Sequence, residues 1–162
     1  MRVGVVSDTH NNLKNCGKIV ELFNKSGVER VIHTGDITQP KTLEIFSELE
    51  SPLYGVFGNN DEGELEELKV SASKNSFHFV SPPLELEWAE NSIVVVHDPL
   101  ELNGLDLSKY HLVLHGHTHR ETIIKKGNQL TFNPGECAGQ MAGLNNIGVV
   151  DLEQLSAEII KF

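Results

Sequence analysis

The sequence predicts an α/β fold in which two β-sheets pack against each other, and three features carry that prediction. Short β-branched apolar runs alternate with amphipathic stretches across residues 3–61. After residue 75 the apolar runs follow one another with only short connections. No linker-like, repetitive or low-complexity segment interrupts the 162 residues, so the whole chain, 1–162, is expected to form one domain.

VGVVS (3–7) predicts a first buried strand, and LKNCGKIVELFNKSG (13–27) has helical spacing that Gly27 can end. RVIHTGD (30–36) is the next strand, and PKTLEIFSELE (40–50) is the next helix, with Pro40 in its first turn. LYGVFGNND (53–61) is the third strand. This βαβαβ order implies parallel strands joined by right-handed crossovers. The acidic run DEGELEE (61–67) reads as a solvated face near a helix N-terminus. FHFV (77–80), LELEW (84–88) and SIVVVHD (92–98) are expected to pair as antiparallel hairpins. A short helix over 100–109 leads to a strand at 112–115. ETIIKKGNQLTFNPG (121–135) predicts a hairpin turning at Lys126-Gly127-Asn128, and NIGVVDLEQLSAEIIKF (146–162) predicts another.

Composition narrows the function classes. Hydrophobic residues make up 39% and charged residues 22%, as in soluble globular proteins. No apolar run approaches the ~20 residues that span a bilayer. The opening MRVGVVSDTH is too short for a signal peptide and reads as a strand. Two cysteines, Cys16 and Cys137, make no disulfide framework, so a cytoplasmic location is expected. The net charge is −10 and Lys and Arg are scattered, so neither a nucleic-acid duplex nor a membrane surface is an expected partner.

Polar residues cluster just past the predicted strands. VVSDTH ends in Asp8 and His10, VIHTGD in Asp36, VFGNND reaches Asn59, VVVH ends in His97, and LVLHGHTH supplies His117 and His119. In open α/β sheets the functional site lies beyond the carboxyl ends of the strands. Carboxylate, amide and imidazole donors without a thiolate suit manganese, iron, nickel or zinc better than calcium or magnesium. Seven ligands are too many for one tetrahedral site, but they suit two sites that share a carboxylate and take up water. Two-metal centres of this kind perform in-line displacement at phosphorus. Gly35, Gly58 and Gly116 precede Asp36, Asn59 and His117, where close backbone approach is needed.

From SDTH through HTGD, GNND and GHTH to NPGE (133–136), the sequence resembles the calcineurin-like metallophosphoesterases, most closely their small single-domain phosphodiesterase branch. The resemblance implies a four-layer α-β-β-α sandwich of two mixed sheets flanked by helices. It implies that Asp8, His10 and His119 hold one divalent ion, that Asn59, His97 and His117 hold a second, and that Asp36 bridges both. It further implies attack on a small phosphodiester by a water or hydroxide between the ions, with Asp36, Asn59 and His97 in the catalytic group. Manganese is the expected metal, with nickel, iron or zinc as alternatives, and a homodimer is a family expectation. Two departures stand out. GNND has Asn60 where larger members carry a histidine, so that proton donor is missing. HDPLELNG replaces a THGH-like stretch, placing Asp98 and Pro99 after His97.

Asn60, Asp61, Asp98 and His115 are expected to support the ligands or face the substrate. His115 precedes Gly116 inside its strand and is read as packed beside the ligands; His33 is read as a strand residue, and His78 and His111 as structural or exposed. Cys16 is read as a buried helix thiol, Cys137 has no assigned role, and Arg120 is read as exposed. The alternative to an enzyme is a non-catalytic interaction scaffold like the retromer subunit of the same fold, whose metal site is impaired; the complete ligand set here argues against it.

Overall fold

Five residues, RVGVV, form β1 (Arg2–Val6), and their alternation sets the layering of the molecule. Val3 and Val5 enter a core between two sheets, while Val6 enters a second core under the helices. The computed structural model describes residues 1–140 and 143–162. β2 (Arg30–His33), β3 (Leu53–Val56) and β4 (His78–Val80) extend β1 in parallel. β10 (Asn146–Asp151) and β11 (Ser156–Lys161) add an antiparallel hairpin on the other edge. The second sheet runs in the order β5 (Leu84–Trp88), β6 (Asn91–Val95), β7 (Leu112–Leu114), β9 (Gln129–Asn133) and β8 (Thr122–Lys126).

The crossovers between the parallel strands are α1 (Leu13–Ser26), α2 (Pro40–Phe46) and α3 (Leu65–Lys74). In α1, Cys16, Ile19, Val20 and Phe23 recur at helical spacing and are buried. Asn12 caps its start by accepting from Asn15 N at 3.1 Å, and Gly27 ends it at φ 62°. Phe23, Phe46, Leu43 and Leu68 fill the space between helices and sheet. Truncating one such phenylalanine to alanine costs about 3–5 kcal/mol. Between the sheets, Ile32 and Val56 meet Ile93, Leu112, Leu114 and Phe132. The outer face of the second sheet, with Val94, Val96 and Val113, is covered by Leu102, Leu105 and Leu107. The fourth layer is therefore thin, made largely of 3-10 turns at Pro99–Leu102 and Leu107–Lys109 rather than the single helix expected over 100–109.

Two further expectations need correction. FHFV does not form a hairpin with LELEW: β4 joins β3 in parallel through α3. Pro82 and Pro83 lie between β4 and β5 and offer no amide hydrogens for a ladder. β5 and β6 do form the expected antiparallel pair, but β6, β7 and β9 are mutually parallel. The second helix ends at Phe46, four residues short of the expected end. Both sheets thus turn the carboxyl ends of parallel strands to one rim, where Gly116 N donates to His97 O at 3.0 Å and Asp8 N to Gly35 O at 3.1 Å.

Candidate metal centre

Seven side chains from five strand ends meet at this rim. One ligand atom from each of Asp8, His10, Asp36 and His119 lies within 4.8 Å of the other three. His119 Nε2 is 3.3 Å from Asp8 Oδ1 and 3.3 Å from His10 Nε2. A second group forms around His97, whose Nε2 is 3.0 Å from Asn59 Oδ1, 3.2 Å from His117 Nδ1 and 3.3 Å from Asp36 Oδ1. Asn59 Oδ1 is also 3.0 Å from His117 Nδ1. Asp36 joins the groups, with Oδ1 toward His97 and Oδ2 3.4 Å from His10 Nε2.

Backbone conformation aims these residues. Asp8, His10, Asp36, His117 and His119 all have positive φ, between 42° and 64°. Left-handed backbone costs an ordinary residue about 1–2 kcal/mol, and Asp, Asn and His enter it most readily. Such strain persists only where the surroundings over-determine it, which is characteristic of functional sites. The glycines permit the approach. A Cβ at Gly58 would collide with the Asp36 carboxylate, and one at Gly116 with Ser7 Oγ, with Asp8 Oδ2 only 2.9 Å away. The close approach expected at Gly35, Gly58 and Gly116 is present; at Gly35 a Cβ would lie 2.5 Å from His97 Nδ1.

The supporting residues divide sharply. Asn60 donates to Asp36 twice, from its backbone N at 3.0 Å to Oδ1 and from Nδ2 at 2.8 Å to Oδ2. Asp61 is fully buried and accepts from Gly58 N, Asp36 N and Thr38 N at 2.6–3.1 Å. That corrects the solvated reading for the first residue of DEGELEE, because three backbone donors compensate its burial. Burial raises its pKa despite those three bonds, and the nearby Asp36 charge adds to the rise. Asp98 lies 3.7 Å from His117 Nε2, too far for a hydrogen bond, and its Oδ1 instead caps the following turn at Leu100 N. His115 is buried against Gly116 O and Asn133 Nδ2 and stands outside both groups. His33 ends β2, wedged between Thr9 Oγ1 and the Gly35 N–H, and burial drives its pKa down to about 3. Cys137 is buried with its thiol on Asn146 O, and burial pushes the Cys16 thiol up to about 12, so neither is a reactive thiolate.

Glu136 is the residue that sequence reasoning missed. Its buried Oε2 lies 3.0 Å from His119 Nδ1. It sits just past β9, so the same strand-end rule applied to that strand would have found it.

Charges at the rim are strongly coupled. Burial opposes ionisation of Asp36, yet hydrogen bonds from His97 and Asn60 hold its carboxyl below the usual range. Burial likewise opposes protonation of His97, but Asp36 and the Thr34 carbonyl raise it to about 9. His119 is raised first by Asp8 and then, against burial, by Glu136. Asp8 Oδ1 is a buried carboxylate oxygen without a hydrogen-bond partner. A buried carboxylate oxygen without a hydrogen-bond partner is costly, and a cation among these donors would satisfy it. Ligand bonds of ~2.1 Å place neighbouring donor atoms roughly 3.0–3.4 Å apart, so the donor set and its spacing fit divalent cations.

The family model for the calcineurin-like phosphoesterase superfamily domain matches residues 1–155. The chain is 33% identical over 159 residues to phosphodiesterase MJ0936 of Methanocaldococcus jannaschii, covering 95% of each protein. A solved archaeal phosphodiesterase matches the whole fold with TM-score 0.90 at 30% identity, covering 100% of both chains. Vps29 of Entamoeba histolytica matches with TM-score 0.69 at 16% identity, covering 100% of this chain and 99% of that one, a likeness of fold alone.

Proposed function

From the membership of this chain in the calcineurin-like phosphoesterase superfamily, we propose that it is a metal-dependent phosphodiesterase acting on a small phosphodiester. The observation that carries the reading is the double exposure of Asp36, one oxygen toward His97 and the other toward His10. Asp8, His10 and His119 hold one divalent ion, Asn59, His97 and His117 hold the other, and Asp36 serves both. Two such ions lower the pKa of water and neutralise charge developing on phosphate oxygens. Manganese is the first metal to test, with nickel, iron and zinc beside it.

The chain's own residues position and orient. Thr34 O accepts the Nδ1–H of His97 at 2.9 Å, which leaves Nε2 as the ligand nitrogen. Asn59 turns its oxygen toward the same point as His97 Nε2 and His117 Nδ1, so its amide N–H groups can donate to a phosphate oxygen. Asn60 turns its backbone N–H and one amide N–H to Asp36 and carries no titratable proton. Diesters with acidic leaving groups are therefore the fastest substrates. A groove of about 410 Å³ beside Asn59 and His97, lined by Phe57, Leu65 and Pro82 together with the carboxylates of Glu62, Asp98 and Glu101, receives the organic arm of the ester, and those carboxylates favour an uncharged or cationic arm. That extra arm, together with the phosphodiesterase names of the relatives, favours diesters over monoesters.

The scaffold alternative rests on fold likeness below 25% identity, and among the described residues the exposed large apolar side chains, Leu13, Val70, Leu100, Ile123, Ile124 and Leu144, come from separate elements apart from the neighbours Ile123 and Ile124. No helix of the described residues is long and apolar enough to cross a membrane. The test is hydrolysis of a chromogenic phosphodiester and its monoester counterpart by chelator-stripped protein, with each metal added back. Metal-restored diester cleavage, lost in His119→Ala and Asn59→Ala, is the expected result. Two bound ions without turnover would overturn the catalytic reading for these esters.

A further inference from the structure

The two metal positions are not backed alike. Behind the second position, the ring of His97 rests on a neutral carbonyl, Thr34 O, and His117 is exposed with Asp98 3.7 Å away. Behind the first, a carboxylate buried to 1% exposure, Glu136, meets His119 Nδ1 at 3.0 Å. The backbone of Glu136 is pinned independently of that contact, since Asn146 N donates to its carbonyl at 3.0 Å and Gly135 precedes it at φ 94°.

We propose that Glu136 is the positioning residue of the first metal position: it accepts the Nδ1–H of His119, fixes the tautomer that presents Nε2, and makes this position the tighter of the two. The proposal rests on the metal-dependent reading above. Burying a carboxylate costs several kcal/mol unless it is paired, so a glutamate at this depth needs a partner whose charge or hydrogen bond repays it. His119 is that partner on the side facing the site. Its other nitrogen stands 3.3 Å from Asp8 Oδ1, the buried oxygen without a hydrogen-bond partner. A carboxylate on the far nitrogen raises the basicity of the ligating one and holds the ring in place. Asp8 and Asp36 face the first position with Glu136 behind it, whereas among the described residues Asp36 is the one carboxylate within hydrogen-bond reach of a ring nitrogen at the second, Glu101 meeting not the ring but the backbone N of His97 at 2.9 Å.

The test compares manganese binding by stripped wild type, Glu136→Gln and Glu136→Asp in a calorimeter, with thermal unfolding as a check that each is folded. Wild type is expected to bind two ions with unequal affinity. Glu136→Gln, which keeps the shape and loses the charge, should weaken the tighter ion about 10–100-fold and leave the weaker one unchanged. Glu136→Asp should recover part of that loss. Should the variants fail to fold, ¹⁵N–¹H spectra of zinc-loaded wild type report the ring directly, and a proton on His119 Nδ1 is expected. Unchanged affinities, equal loss at both positions, or a proton on Nε2 would each overturn the proposal while leaving the metal-dependent reading intact. Wild type that takes up no ion would overturn that reading and the proposal with it.

Discussion

The two rims of the sandwich use the same strands and differ in their chemistry. At the carboxyl ends of β1, β2 and β7, Asp8, His10, Asn11, Asp36, Thr38, His117 and His119 take positive φ, and their titratable groups converge. At the opposite rim a cavity of about 570 Å³ opens among Met1, Asn91, His111, Gly127 and Leu152, larger than the groove beside Asn59. Its one histidine, His111, accepts from Ser92 N, an ordinary hydrogen bond at the start of a strand. Volume therefore does not mark the site in this fold; convergent donors on strained backbone do.

Removing the shared ligand should break the comparison most completely. Asp36→Ala deletes the one carboxylate among the described residues that faces both groups and orphans the Asn60 donors. Loss of both ions by metal analysis and of all measurable diester turnover is expected. Retention of one tightly bound ion would show that Asp36 serves a single position. The next largest effect falls on the glycines. Gly116→Ala forces a Cβ onto Ser7 Oγ and against Asp8, and overpacking of this kind costs about 1–3 kcal/mol. Gly127→Ala, at the opposite rim with φ 55° and open space around it, carries only the left-handed penalty of about 1–2 kcal/mol. Both should lower Tm, but only Gly116→Ala should weaken metal binding.

Most of the polar rim was legible in the sequence because its convergent side chains follow apolar strands and its glycines mark close approaches. Glu136 was not, since a lone glutamate after NPG looks like any loop acid until β9 is recognised as a neighbour of β7. Asp61 was legible in two ways, as part of a charge run and as a support of the site; Gly58-Asn59-Asn60-Asp61 has capping-box spacing and Asp61 does accept from Gly58 N. The pairing of β4 was hidden for a different reason. The acidic start of α3 masked a third crossover, and two adjacent short strands suggested a hairpin where β4 instead pairs with β3 in parallel.

The response to pH also separates the rims. His33 is fully buried beneath the active rim with a pKa near 3, against about 6.5 for an unfolded histidine. Between those values the unfolded chain binds a proton that the folded chain does not, so stability is complete above pH 6.5 and falls as pH drops toward 3. The slope is about 1.4 kcal/mol per pH unit. Denaturant unfolding of stripped wild type and His33→Asn between pH 4 and 6.5 should show the wild-type curve steeper by that amount. Parallel curves would mean that His33 is protonated in the fold.

The smallest effect is expected at the larger cavity. Glu153 is an exposed residue of its lining, three residues before the start of β11. Glu153→Ala gives up the hydrogen bond from its backbone N to Asp151 Oδ1 only if the turn itself moves, because that bond needs no side chain of Glu153. Exposed substitutions of this sort change stability by less than about 0.5 kcal/mol. Diester turnover and metal content should both match wild type. A drop in turnover with metal content intact would mean that the opposite rim also contacts substrate, and the assignment of chemistry to the strained rim alone would fail.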